Sequence, residues 1–71
     1  MVAPNYGALA AREALHAELR KTGARPGLDE YTELFARHLE QHIVEGVADH
    51  TSELPADSTL AAYRRSYIKS L

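Results

Sequence analysis

The sequence predicts an all-α fold, a small bundle of three helices at about residues 6–22, 28–50 and 58–70. Three observations predict it. Apolar residues recur at spacings of three and four along each segment, which places them on one helix face. Two polar, breaker-rich stretches, residues 23–27 and 51–57, separate the segments. No stretch alternates apolar and polar residues over the length of a strand.

The first segment is rich in strong helix formers, among them Ala8, Leu9, Ala10, Ala11, Glu13, Ala14, Leu15, Ala17, Glu18 and Leu19. Asn5 can cap its start, and Lys21-Thr22-Gly23 suits its end, because glycine takes the left-handed cap at no steric cost. Ala8, Ala11, Leu15 and Leu19 form one face. Ala10, Ala14 and Ala17 line another side, where small residues admit a close neighbour.

Asp29, Glu30 and Glu33 open the second segment, where carboxylates favour the amino end of the helix dipole. Leu28, Tyr31, Phe35, Leu39, His42, Gly46 and His50 repeat at three or four, and Leu34, Ile43 and Val47 widen the stripe. Gly46 inside a helix costs about 1 kcal/mol relative to alanine, so the reading there is a close crossing or a kink. Pro55 ends this region, and Asp57 or Ser58 is the expected cap of the third helix. Leu60, Tyr63, Tyr67 and Leu71 then recur at three, four and four, with Arg65, Ser66 and Lys69 turned away.

Size sets the expectation about association. The chain has 71 residues, which fits a single helical domain over 1–71, and no cysteine. Disulfides and thiolate metal sites, the usual staples at this size, are therefore excluded. Twelve of its hydrophobic residues are alanines, and Leu, Ile, Val and Phe together number only 15. A chain this small buries only about 60% of its unfolded surface. The expectation is a bundle completed by homodimerisation, the apolar stripe of the third helix reaching the last residue and docking on the core or on a second copy.

Charge is segregated along the chain. Residues 1–27 carry net +2, residues 28–57 net −7 and residues 58–71 net +3. The expected use of this pattern is complementarity among the packed helices, with a basic ligand-binding end as the alternative. The overall −2 does not mark a nucleic-acid protein. There is no run of 18–20 apolar residues, and the start lacks a secretory leader, so the expected compartment is the cytoplasm. Abundant alanine, and six arginines against two lysines, fit a bacterial coding sequence.

Two constellations could carry chemistry. His38 and His42 stand one turn apart on one side of the second helix, a spacing able to chelate a metal, with Glu45 and Asp49 nearby. The zinc-protease pattern is absent, and His42 also lies in the apolar stripe, where it can simply pack. The same histidines, beside acids, could serve a milder role as a pH response. The second constellation is a helix, a break and a basic helix carrying Arg64, Arg65 and Lys69, an arrangement reminiscent of helix-turn-helix DNA readers. Against it stand a connection longer than the usual turn and an acidic preceding helix. No nucleophile elbow, Ser-x-x-Lys pattern or phosphate loop is present, and the reading is a non-enzyme with no cofactor.

The function expected from these features is a non-catalytic protein–protein interaction or regulatory module acting through amphipathic helix surfaces. Its alternatives are a DNA-binding regulator using the basic last helix, and a metal-binding protein using His38 and His42. The expected partner is a second copy, with another protein in second place and nucleic acid after that. The expected anchors are Leu60, Tyr63, Tyr67, Ile68 and Leu71, rimmed by Arg64 and Arg65, because tyrosine and arginine are favoured at interaction hot spots. The competing role for Leu60 and Tyr63 is the chain's own core.

Overall fold

Helices form over all three segments that the apolar spacing marks. The structure, a computed structural model, describes residues 6–46 and 53–71, with Tyr6 by its backbone alone. Its elements are α1 (Tyr6–Thr22), α2 (Leu28–Val44) and α3 (Asp57–Lys69), and no strand occurs among the described residues.

The end of α1 is built as its residues dictate. Gly23 adopts φ +68, and the Ala24 N–H donates back to the Leu19 carbonyl at 3.2 Å. This six-to-one bond satisfies a carbonyl that the last helical turn would leave without a partner. Ala24 packs on the core beside the buried Leu19, which supplies the hydrophobic contact of the motif. After the turn, Gly27 is extended and its carbonyl accepts the Tyr31 N–H at 2.8 Å, with Asp29 and Glu30 in the first turn of α2.

The sequence reading extends the second helix to residue 50, but α2 ends at Val44. Gly46 is the reason. Its φ of +78 lies outside the α-helical region, and its N–H bonds to the Ile43 carbonyl at 3.1 Å as a helix-ending turn. It ends the helix rather than marking a crossing, since a methyl group built on it would meet no atom of the described residues within 4 Å. Val47 and His50, assigned to the same stripe, lie outside the described residues. The expected cap of α3 also shifts. Ala56 holds the cap position, its carbonyl accepting the Thr59 and Leu60 N–H groups at 2.9 and 3.0 Å, and Asp57 and Ser58 fall in the first turn.

The core draws on all three helices. Ala8, Ala11, Leu15 and Leu19 of α1 meet Tyr31, Phe35 and Leu39 of α2 and Leu60 and Tyr67 of α3. Leu34, Ile43, Tyr63 and Ile68 pack around them, half-buried. The main pair is α1 with α2, and α3 lies against α2. Two long-range bonds fix the direction of α3. The Tyr67 hydroxyl donates to the Ala24 carbonyl at 2.8 Å, and Arg64 Nε–H donates to the Pro26 carbonyl at 2.7 Å. The carboxyl-terminal half of α3 is thereby pinned to the α1–α2 connection, giving an up-down-up path.

Candidate functional site

The seven expected partner-binding residues do not share one environment. Leu60 and Tyr67 are 0% and 1% exposed, so they hold α3 to its own chain. Tyr63 and Ile68 are half-buried against the core, and Tyr63 stacks on Phe35 with ring centroids 6.2 Å apart. Arg64 is half-buried and engaged by Pro26. Arg65 and Leu71 alone of the seven are exposed, with Lys69 beside them in the same turns of α3.

The two histidines of α2 are each engaged within the chain. His38 Nε2 lies 2.6 Å from Glu18 Oε2 on α1. His42 Nδ1–H donates to the His38 carbonyl at 2.6 Å, one turn back. Glu45 accepts from the Gln41 side chain at 3.2 Å, and Asp49 lies outside the described residues. No group of three or more His, Cys, Asp or Glu side chains suited to a metal ion occurs among the described residues.

Few of the segregated charges meet in ion pairs among the described residues. Among the described residues, ion pairs join Arg12 to Glu13, Arg37 to Glu33 and His38 to Glu18. Of these, His38–Glu18 alone crosses between helices, and its acid belongs to α1. Among the described residues, no ion pair joins an acid of α2 to a cation of α1 or α3. Asp29, Glu30, Glu33 and Glu40 of α2 are exposed, as are Arg65 and Lys69 of α3.

A cleft between α1 and α3 went unnoticed in the residue pattern. It encloses about 210 Å³ and is lined by Arg12, Glu13, His16, Arg20, Tyr63 and Ser66. Arg12, His16 and Arg20 recur at four-residue spacing and so stand on one face of α1, the one trace of the cleft that the sequence carries. The guanidinium of Arg12 lies 5.0 Å from the centroid of Tyr63, and that of Arg20 lies 5.9 Å from Tyr67. Such cation–π contacts hold the charge in place while leaving N–H donors for another ligand.

His16 sits between the two arginines, 8% exposed, with Nε2 2.7 Å from the Tyr31 hydroxyl. Burial lowers its pKa below the usual 6.5, the charges of Arg20 and Arg12 lower it further, and Glu13 partly opposes them. Burial likewise raises the Tyr31 hydroxyl to about 12, so that it keeps its proton. Tyr31 is fully buried with His16 as its hydrogen-bond partner, which assigns the phenol as donor to Nε2. The neutral ring then carries its own proton on Nδ1.

Comparison with known proteins finds no matching family model, no similar curated protein and no similar solved structure. No helix among the described residues is long and apolar enough to cross a membrane.

Proposed function

We propose that this chain is a non-catalytic interaction module whose partner is a second copy of itself. The observation that carries the reading is the separation of exposed charge, acidic on the outer surface of α2 and basic on that of α3. Among the described residues, no ion pair joins the acids of α2 to the cations of α3. Opposite potentials on two faces of one molecule steer copies together and set their register. Leu71, 45% exposed at the end of the basic helix, adds an apolar contact beside Arg65 and Lys69. Leu60 and Tyr67 act in this scheme as internal braces that keep α3 rigid, and Arg65, Lys69 and Leu71 make the contact.

Charge-swapped chains test this reading. A chain carrying Arg65→Glu and Lys69→Glu is expected to stop associating, as is one carrying Glu33→Lys and Glu40→Lys. Mixing the two is expected to restore a heterologous complex, read by native mass spectrometry. Swapped chains that associate as well as the parent, or a mixture that stays monomeric when the parent does not, would overturn it. Binding of duplex DNA that disappears with Arg65→Glu and Lys69→Glu, in a chain that stays monomeric, would replace it by the regulator reading.

A further inference from the structure

We propose that the α1–α3 cleft is a binding site for the phosphate group of a small phosphorylated molecule. This inference does not depend on self-association, because Arg12, His16 and Arg20 lie on α1, whereas the charges invoked above lie on α2 and α3.

The first support is an unbalanced charge. Arg12 and Arg20 flank one cleft, and Glu13, beside Arg12 at 3.1 Å, is the acid lining it among the described residues. Arg20 forms no ion pair there and is held instead over the Tyr67 ring. Arg12 and Arg20 stand two turns apart on the α1 face that also carries His16. Two cations against one acid at a concave site give a net positive, anion-attracting field.

The second support is the donor set. Arg12, Arg20, Ser66 and His16 all line this space, and their guanidinium, hydroxyl and ring N–H groups are hydrogen-bond donors. His16 makes its hydrogen bond to Tyr31 through Nε2, so its remaining ring proton is uncommitted among the described residues. A carboxylate carries a single charge on two coplanar oxygens and so complements two cations less fully than a dianion does. A phosphate monoester offers three terminal oxygens and up to two charges, which match them.

The third support is size and wall. A cleft of about 210 Å³ is smaller than the roughly 300–1,000 Å³ of pockets that enclose drug-sized ligands. It suits a phosphate with a few further atoms. The Tyr63 ring forms one side, where those atoms can lie against an apolar surface.

The test is titration with pyrophosphate and with glycerol 3-phosphate, followed by amide chemical shifts and calorimetry. Saturable one-to-one binding is expected, with shifts centred on Arg12, His16, Arg20, Tyr63 and Ser66. Arg20→Gln is expected to weaken it about tenfold or more, the loss of one charge-assisted contact. Arg65→Gln, which removes an exposed cation outside the cleft, is expected to leave affinity within about twofold. Circular dichroism of both variants checks that each remains helical. No saturation by either probe at ~10 mM, corresponding to less than about 3 kcal/mol, would overturn the site. Equal weakening by Arg20→Gln and Arg65→Gln, or shifts centred on Arg65 and Lys69, would also overturn it, since these indicate diffuse charge attraction. Binding of pyrophosphate by a chain that stays monomeric upholds the site and removes the self-association reading alone.

Discussion

The Tyr31 hydroxyl and His16 Nε2, 2.7 Å apart, join α2 to α1 at the centre of the aromatic cluster. The bond satisfies two groups that burial would otherwise penalise, and it turns the imidazole so that a buried histidine serves packing and cleft together. Replacing Tyr31 by Phe leaves the ring in place and strands Nε2. The expected cost is about 1–3 kcal/mol in urea denaturation, with the Arg12 and Tyr63 amide shifts disturbed. A loss below about 0.5 kcal/mol would show that the bond contributes nothing net.

His16 also sets a pH dependence on the acid side. Its folded pKa lies below the ordinary 6.5, so the unfolded chain binds its proton first as pH falls. Stability from this group is complete above pH 6.5 and declines as pH falls from there toward the folded value. Melts between pH 7.5 and about 5 should show this slope, and His16→Gln should flatten it. An unchanged slope in that variant would assign the dependence elsewhere.

Tyr31 gives the opposite dependence in alkali. With its hydroxyl raised to about 12 from 10, its contribution is complete below pH 10 and is lost as pH rises toward 12. Absorbance at 295 nm during a pH titration should include a late tyrosine step that belongs to Tyr31. Tyr31→Phe should remove that late step.

Gly46 offers a test by sign. At φ +78 an alanine is strained, so Gly46→Ala should destabilise by about 1–2 kcal/mol. Inside a continuous helix to residue 50, the same substitution would stabilise by about 1 kcal/mol. Thermal unfolding therefore separates the two placements directly.

The contrast at this position shows what was legible in the residues. The α1 stripe of Ala8, Ala11, Leu15 and Leu19 reads directly because all four positions are buried and the Gly23 turn follows at once. The α2 stripe continues in pattern beyond Val44 because periodicity alone cannot distinguish a glycine within a helix from one that ends it. Gly46 decides that through its backbone, which hydrophobic spacing does not report. The anchors of α3 are legible as an apolar face but not as internal or external. Leu60 and Tyr67 go inside because Ala24 and Pro26 of the α1–α2 connection receive hydrogen bonds from Tyr67 and Arg64, contacts between residues about forty positions apart. The cleft escaped for a related reason. Arg12, His16 and Arg20 are three ordinary helix-surface residues until Tyr63 and Tyr67 arrive from α3.

Sedimentation equilibrium of the unmodified chain at two ionic strengths tests the proposal of self-association most directly. If the outward-facing charges of α2 and α3 bind copies together, the mass should exceed that of the 7.8 kDa monomer in dilute salt. It should fall toward that value at ~0.5 M salt, where screening shortens the reach of charge to about 4 Å. A mass of 7.8 kDa at ~0.5 mM protein in dilute salt, or an assembly indifferent to salt, would contradict it.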